Sequence, residues 1–127
     1  MILERPSIIL RIEGAAVFAA CAYIYSAHGW SLLMFVVLFL AVDLCMLGYV
    51  AGQRAGAMIY NLFHQYLFPI LLGVYALVTA TDLALQIALI WMAHIGADRV
   101  LGYGLKTPNG FKTTHVQLLS DAEASGD

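Results

Sequence analysis

Charge is what this sequence has least of. Asp, Glu, Lys and Arg make up 11% of its 127 residues, where a soluble domain carries roughly a quarter. Six Lys and Arg side chains cannot build a patch that matches a run of phosphates, so nucleic acid is excluded as a partner. No polar stretch is long enough to form a separate soluble module. Cysteine is equally sparse. Cys21 and Cys45 form no CxxC pair, which argues against thiolate zinc sites and dithiol redox chemistry. Their depths in the spans set out below differ by roughly 10 Å, too far for a disulfide, so both are expected to be small apolar packing residues. Of the three prolines only Pro69 falls well inside an apolar run. A nucleotide-binding glycine loop is also lacking: Gly102-Tyr103-Gly104 follows no strand and reads as a helix terminator.

What the chain does have is hydrophobicity, 62% of residues with a mean hydropathy of +0.84, gathered into runs near the roughly 20 residues that cross a bilayer as helix. The runs cover about Ile8 to Ala27, Ser31 to Val50, Ala55 to Leu77 and Thr81 to Tyr103. Arg11, Glu13 and the continuation of the first run through Tyr25 favour a retained span over a cleaved signal peptide. Connections of a few residues force neighbours to be antiparallel, so the expected fold is an all-α, up-down four-helix transmembrane bundle over residues 1–106. Ser31 and Thr81-Asp82 are expected helix caps, and Pro69 is expected to kink the third span one turn after His64 by removing the bond to the Gln65 carbonyl. Gly48 and Gly52 are spaced as a close-packing motif. Arg5, Arg11, Arg54, Arg99, Lys106 and Lys112 all fall at one end of the bundle. The positive-inside rule then puts both termini in the cytoplasm, and the expected location is a bacterial inner membrane. Tyr49, Tyr60 and Tyr103 suit an aromatic belt at that boundary. Residues 107–127 form a cytoplasmic tail: a turn at Thr107-Pro108-Asn109-Gly110, a mildly apolar stretch to Leu119, and expected disorder from Ser120 onward.

Ionisable residues inside the spans are the feature that points to function. Asp43 lies in the second span, Asn61 and His64 in the third, His94 and Asp98 in the fourth. Counted from the inner ends at about 1.5 Å per residue, all five lie about 10–15 Å deep, in the inner half. The i,i+3 and i,i+4 spacings put each pair on one helix face, so all five can meet in one volume. Isolated charges in hydrocarbon are costly and by default functional. Two imidazoles and two carboxylates suit a divalent metal, with His64, His94, Asp98 and Asp43 as ligands and Asp43 and Asp98 as the catalytic carboxylates. Zinc is the first expectation, iron and manganese the alternatives. Asn61, Glu13, Arg99 and His115 are supporting candidates. Glu13 is shallower, and Arg99 with Lys106 can meet an anionic head group at the rim. The competing reading is that the same groups merely hydrogen-bond between helices as packing glue.

Three stretches carry a family resemblance: Asp43-Leu44-Cys45-Met46-Leu47-Gly48-Tyr49, Tyr60-Asn61-Leu62-Phe63-His64, and His94-Ile95-Gly96-Ala97-Asp98-Arg99 running on through Gly102-Tyr103-Gly104-Leu105-Lys106 to Gly110 and His115. Together they resemble a bacterial membrane family known as domain of unknown function 4260. Its pattern has proline at the position of Val42 and serine at that of Cys45. The resemblance implies a four-span membrane protein and supplies no activity. Function therefore rests on the residues, which allow a metal-dependent membrane hydrolase acting on a lipid or other apolar substrate. A non-enzymatic subunit of a larger membrane complex or a homo-oligomer is the alternative. A bis-histidine haem protein, with His64 and His94 as axial ligands, is the third reading.

Overall fold

The computed structural model describes residues 1–105 and 114–126. A short 3-10 turn, Ile2–Glu4, leads into α1 (Pro6–Ala27); α2 (Leu32–Ala41) continues as a 3-10 stretch, Val42–Ala51; α3 (Gln53–Phe63) and α4 (Leu67–Thr79) are the halves of one broken span; α5 (Asp82–Val100) is the fourth; and α6 (His115–Ser125) follows. Four helical segments, Pro6–Ala27, Leu32–Ala51, Gln53–Thr79 and Asp82–Val100, are long and apolar enough to cross a membrane. They alternate in direction as an up-down bundle. Among the described residues there is no strand.

Local chemistry sets the ends. Pro6 opens α1 at a position where its missing N–H costs nothing. Ser31 caps α2 by accepting from the Met34 amide at 3.2 Å. Thr81 does not cap α5 with its side chain. Its hydroxyl meets that of Thr79 at 2.7 Å, across a turn that Ala80 closes in the left-handed region at φ 53°.

The bundle centres on α5, the most enclosed span, with 44% of its apolar window buried against 6–22% for the others. Its main partner is α1. The two cross where Gly14 faces Gly96. A Cβ on Gly96 would stand 2.6 Å from the Gly14 carbonyl oxygen and 2.9 Å from the Phe18 nitrogen, while a Cβ on Gly14 would strike Arg99 and the Gly96 carbonyl. Only paired glycines let the backbones approach this closely. The half of the bundle nearer the α1–α2 turn packs as an apolar cluster of Cys21, Tyr25, Leu89, Ile90 and Ala93 beneath Trp30 and Phe35. Of the expected Gly48–Gly52 motif, Gly48 does admit the Ile59 side chain of α3, but Gly52 has open space around it and serves as a positive-φ turn.

Three departures from the sequence expectations shape the site. The second span leaves α-geometry at Val42 and stays 3-10 for ten residues, longer than such runs usually last. The third span breaks at His64–Tyr66, beginning at His64 itself and not one turn beyond it; the break includes Gln65, whose carbonyl the ring of Pro69 crowds. The tail is ordered where disorder was expected: α6 runs through Ser125. Its Glu123 carboxylate accepts from both the amide and the hydroxyl of Ser7 at the start of α1, so that α1 supplies the two donors that tie the acidic tail down. The expected turn at 107–110, Lys106 and Lys112 lie outside the described residues.

Candidate metal centre

The two irregular stretches and the regular α5 bring four side chains together. Asp43 stands at the second position of the 3-10 stretch. His64 is the residue at which α3 ends, with φ −112° and ψ 19°. His94 and Asp98 project from one face of α5, one turn apart. The imidazoles are buried, at 0% and 2% side-chain exposure; Asp98 is at 17% and Asp43 at 45%.

One ligand atom from each residue lies within 4.8 Å of all the others. His64 Nε2 is 3.5 Å from Asp43 Oδ1 and 3.3 Å from Asp98 Oδ2. His94 Nε2 is 3.2 Å from Asp43 Oδ1 and 3.3 Å from Asp98 Oδ2. The two Nε2 atoms are 3.3 Å apart. Four donors placed about 2.0–2.1 Å from a central zinc at tetrahedral angles stand about 3.3–3.4 Å from one another. Five of the six edges of this figure therefore have the length that a tetrahedral ion requires.

Hydrogen bonding within the cluster accounts for only part of the same contacts: one proton on His94 Nε2 can serve His64 Nε2 or a carboxylate, but not all of its neighbours at once. His64 Nδ1 is 2.9 Å from the Tyr60 carbonyl oxygen, so Nδ1 carries the proton that this bond needs. The neutral ring then presents its Nε2 lone pair to two carboxylate oxygens, and that is repulsive. A cation at the centre, or an imidazolium, removes the conflict. A ligating histidine whose far nitrogen donates to a backbone carbonyl is the usual outer support of a metal site. The group can thus hold a metal ion. His94 Nδ1 is buried and, among the described residues, has no hydrogen-bond partner; its ring is held edge-on by Phe39 at 4.8 Å between centroids.

The broken span is held open by α5. Inside hydrocarbon a freed carbonyl has no water to turn to. The Phe63 carbonyl accepts from Trp91 Nε1 at 2.6 Å, and the His64 carbonyl accepts from Arg99 Nη2 at 3.0 Å. Arg99 is 93% buried, donates also to the Tyr103 carbonyl at 3.3 Å, and stacks over Tyr66. It is therefore a clamp on the His64 backbone and not the rim residue for a head group that its sequence position suggested.

The other supporting candidates separate. Asn61 is half-buried on α3 and outside the group of four; Glu13 is exposed. His115 lies beyond the C-terminal end of α5, where Nδ1 accepts from the Leu105 amide at 2.7 Å. Burial and the nearby Arg99 charge hold its pKa below the ordinary histidine value. Two contributors escaped the sequence reading. Tyr60 is buried, not a belt residue, and its ring stacks on His64 at 3.6 Å; its i,i+4 spacing to His64 was the available signal. Cys45 is more than packing, since its Sγ lies 3.6 Å from His64 Nδ1. Haem does not fit. Axial nitrogens must stand on opposite faces of the macrocycle, whereas these are 3.3 Å apart with carboxylates in the same space.

The family described as Domain of unknown function (DUF4260) matches residues 7–119. The chain belongs to that family. All four residues of the centre lie within the matched region. No curated protein and no solved structure is detectably similar.

Proposed function

We propose that the chain is a metal-dependent hydrolase embedded in the bacterial cytoplasmic membrane, with both termini inside, acting on an apolar substrate. The observation that carries the reading is the near-tetrahedral set of Asp43, His64, His94 and Asp98, with the far nitrogen of His64 bound to the Tyr60 carbonyl. Two imidazoles and two carboxylates favour zinc, with iron and manganese next. A bound ion of this kind lowers the pKa of water toward neutrality and polarises a carbonyl. The residues divide the remaining work. His64, His94 and the less exposed carboxylate, Asp98, are the holders. Asp43 is the most exposed of the four and sits on the 3-10 stretch, so it can yield its position to water and act as the base. The orientation rests on Arg5, Arg11 and Arg54, which the topology sets at one end.

Elemental analysis of protein purified without an affinity tag tests this directly. The expected result is one metal per chain, lost in His94→Ala. Wild-type protein that carries no metal and binds none when zinc is supplied would overturn the proposal. One observation favours a second reading: four protein ligands are the usual number for a structural zinc. The ion would then pin the broken helix in a non-catalytic subunit of a larger membrane complex. The two readings part at Asp43→Asn. The hydrolase retains a measurable, weakened metal site and loses turnover of long-chain fluorogenic esters, while a subunit shows no turnover in either form and co-purifies with a constant partner set.

A further inference from the structure

Beside the metal centre lies a cavity of about 480 Å³, within the range of roughly 300–1,000 Å³ typical of small-molecule sites. Its wall is apolar and includes Ala41, Val42, Cys45, Phe63, Ile90 and Trp91. The cavity adjoins the centre through neighbours of its ligands. Val42 and Leu44 flank Asp43, Phe63 precedes His64, and the Cys45 thiol touches His64 Nδ1. From there it extends along Leu38 of α2 and Ile87 of α5. Both residues lie nearer the opposite ends of their helices than Asp43 and His94 do, by five and seven residues respectively, which is roughly 8–10 Å of helix.

We infer that this cavity receives a single acyl chain of a membrane lipid, entering sideways from the bilayer, with the chain's ester or amide carbonyl at the metal centre. The inference rests on the hydrolase reading above and names its substrate class. Three features favour this occupant. The cavity lies at hydrocarbon depth, where chains and not water are the available filler. Its wall offers no charged side chain to a polar guest. Its axis runs from the centre away from the basic end of the bundle and on through the bilayer middle, the direction that a lipid tail takes when its polar end faces that basic rim. Hydrolysis then balances without a further reactant. Water adds its oxygen to the acyl carbon, the bond from that carbon to the alcohol oxygen or amine nitrogen breaks, and the water proton passes through Asp43 to the departing atom.

The test uses the full chain, zinc-loaded, in phospholipid vesicles containing a diacyl phospholipid with a diazirine near the methyl end of one chain. Photolysis should label Cys45 and Ile90, which are almost buried at 9% and 1% exposure, besides the outward-facing Leu40 at 62%. Ala41→Trp, which fills the cavity, should abolish label at Cys45 and Ile90 and leave label at Leu40 and the metal content unchanged. Leu38→Trp is the second filling variant, used if Ala41→Trp loses its helical circular dichroism. Label confined to Leu40 in metal-loaded wild type, or label at Ile90 that survives filling, would overturn the inference while leaving the metal centre standing. Absence of metal from the wild type would instead remove the reading beneath it.

Discussion

Replacing Trp91 by Phe tests how the broken span is held in place. The indole makes one directed contact, from Nε1 to the Phe63 carbonyl at 2.6 Å. Phenylalanine keeps most of the ring, and with it the packing against Phe63 at 5.7 Å between centroids, but it removes the donor. In a soluble protein the loss would be small, because Phe63 is 38% exposed and water would replace the indole. In a bilayer that exposure is to lipid, so the carbonyl stays unsatisfied. The expected cost is the penalty of an orphaned buried acceptor, about 1–3 kcal/mol. The residue after the carbonyl is His64, so the same change should loosen one ligand and weaken zinc retention. Reversible unfolding by denaturing detergent, followed by helical circular dichroism, measures the first effect, and competition with a chromophoric chelator measures the second. A change below about 0.5 kcal/mol, the level of an ordinary surface substitution, with unaltered zinc affinity would refute the reasoning.

Other consequences follow from the same contacts. Gly96→Ala puts a methyl 2.6 Å from the Gly14 carbonyl and should destabilise the bundle by about 1–3 kcal/mol, read in the same unfolding assay. Asp98→Asn removes a ligand close to both imidazoles and should abolish metal retention, whereas Asp43→Asn, the more exposed carboxylate, should weaken it while leaving a measurable site. The docking of α6 should be acid-labile. The Ser7 hydrogen bonds hold the Glu123 pKa below its ordinary value, and burial with the Arg99 charge does the same for His115. Both groups therefore stabilise the docked helix above their unfolded pKa values, about 4.3 and 6.5, and that contribution is lost as pH falls through the folded ones. Amide exchange in α6 should quicken, relative to α5, as the pH drops from about 7.5 to about 5 through loss of the His115 contribution, and further below about 4 as Glu123 protonates; equal relative protection across that range would contradict this.

Much of the fold could be read in the chain because lipid imposes a single constraint. Backbone groups must be satisfied within each span, so run length and short connections define the bundle almost alone. The gathering of Asp43, His64, His94 and Asp98 was readable for a related reason: matching depths on neighbouring spans leave few places for charged groups to go. The irregular backbone was not readable to the same degree. Pro69 announces a disturbance, but its placement at His64 depends on the indole of Trp91 and the guanidinium of Arg99 reaching across from α5. The 3-10 stretch from Val42 contains no proline to announce it, and it forms where Gly48 lets Ile59 pack against the backbone. Arg99 was misassigned because positive-inside counting treats every arginine near an end as interfacial, although this one is 7% exposed. The tail helix was missed because its composition suggests disorder until Glu123 meets Ser7, 116 residues away in sequence.

Zinc X-ray absorption on the tag-free, metal-loaded protein tests the centre most directly. The account requires four nitrogen and oxygen scatterers near about 2.0–2.1 Å, with the outer-shell pattern of two imidazoles and no sulfur. An octahedral, largely aquated ion, a single-imidazole signal, or a spectrum unchanged by Asp98→Asn would contradict it.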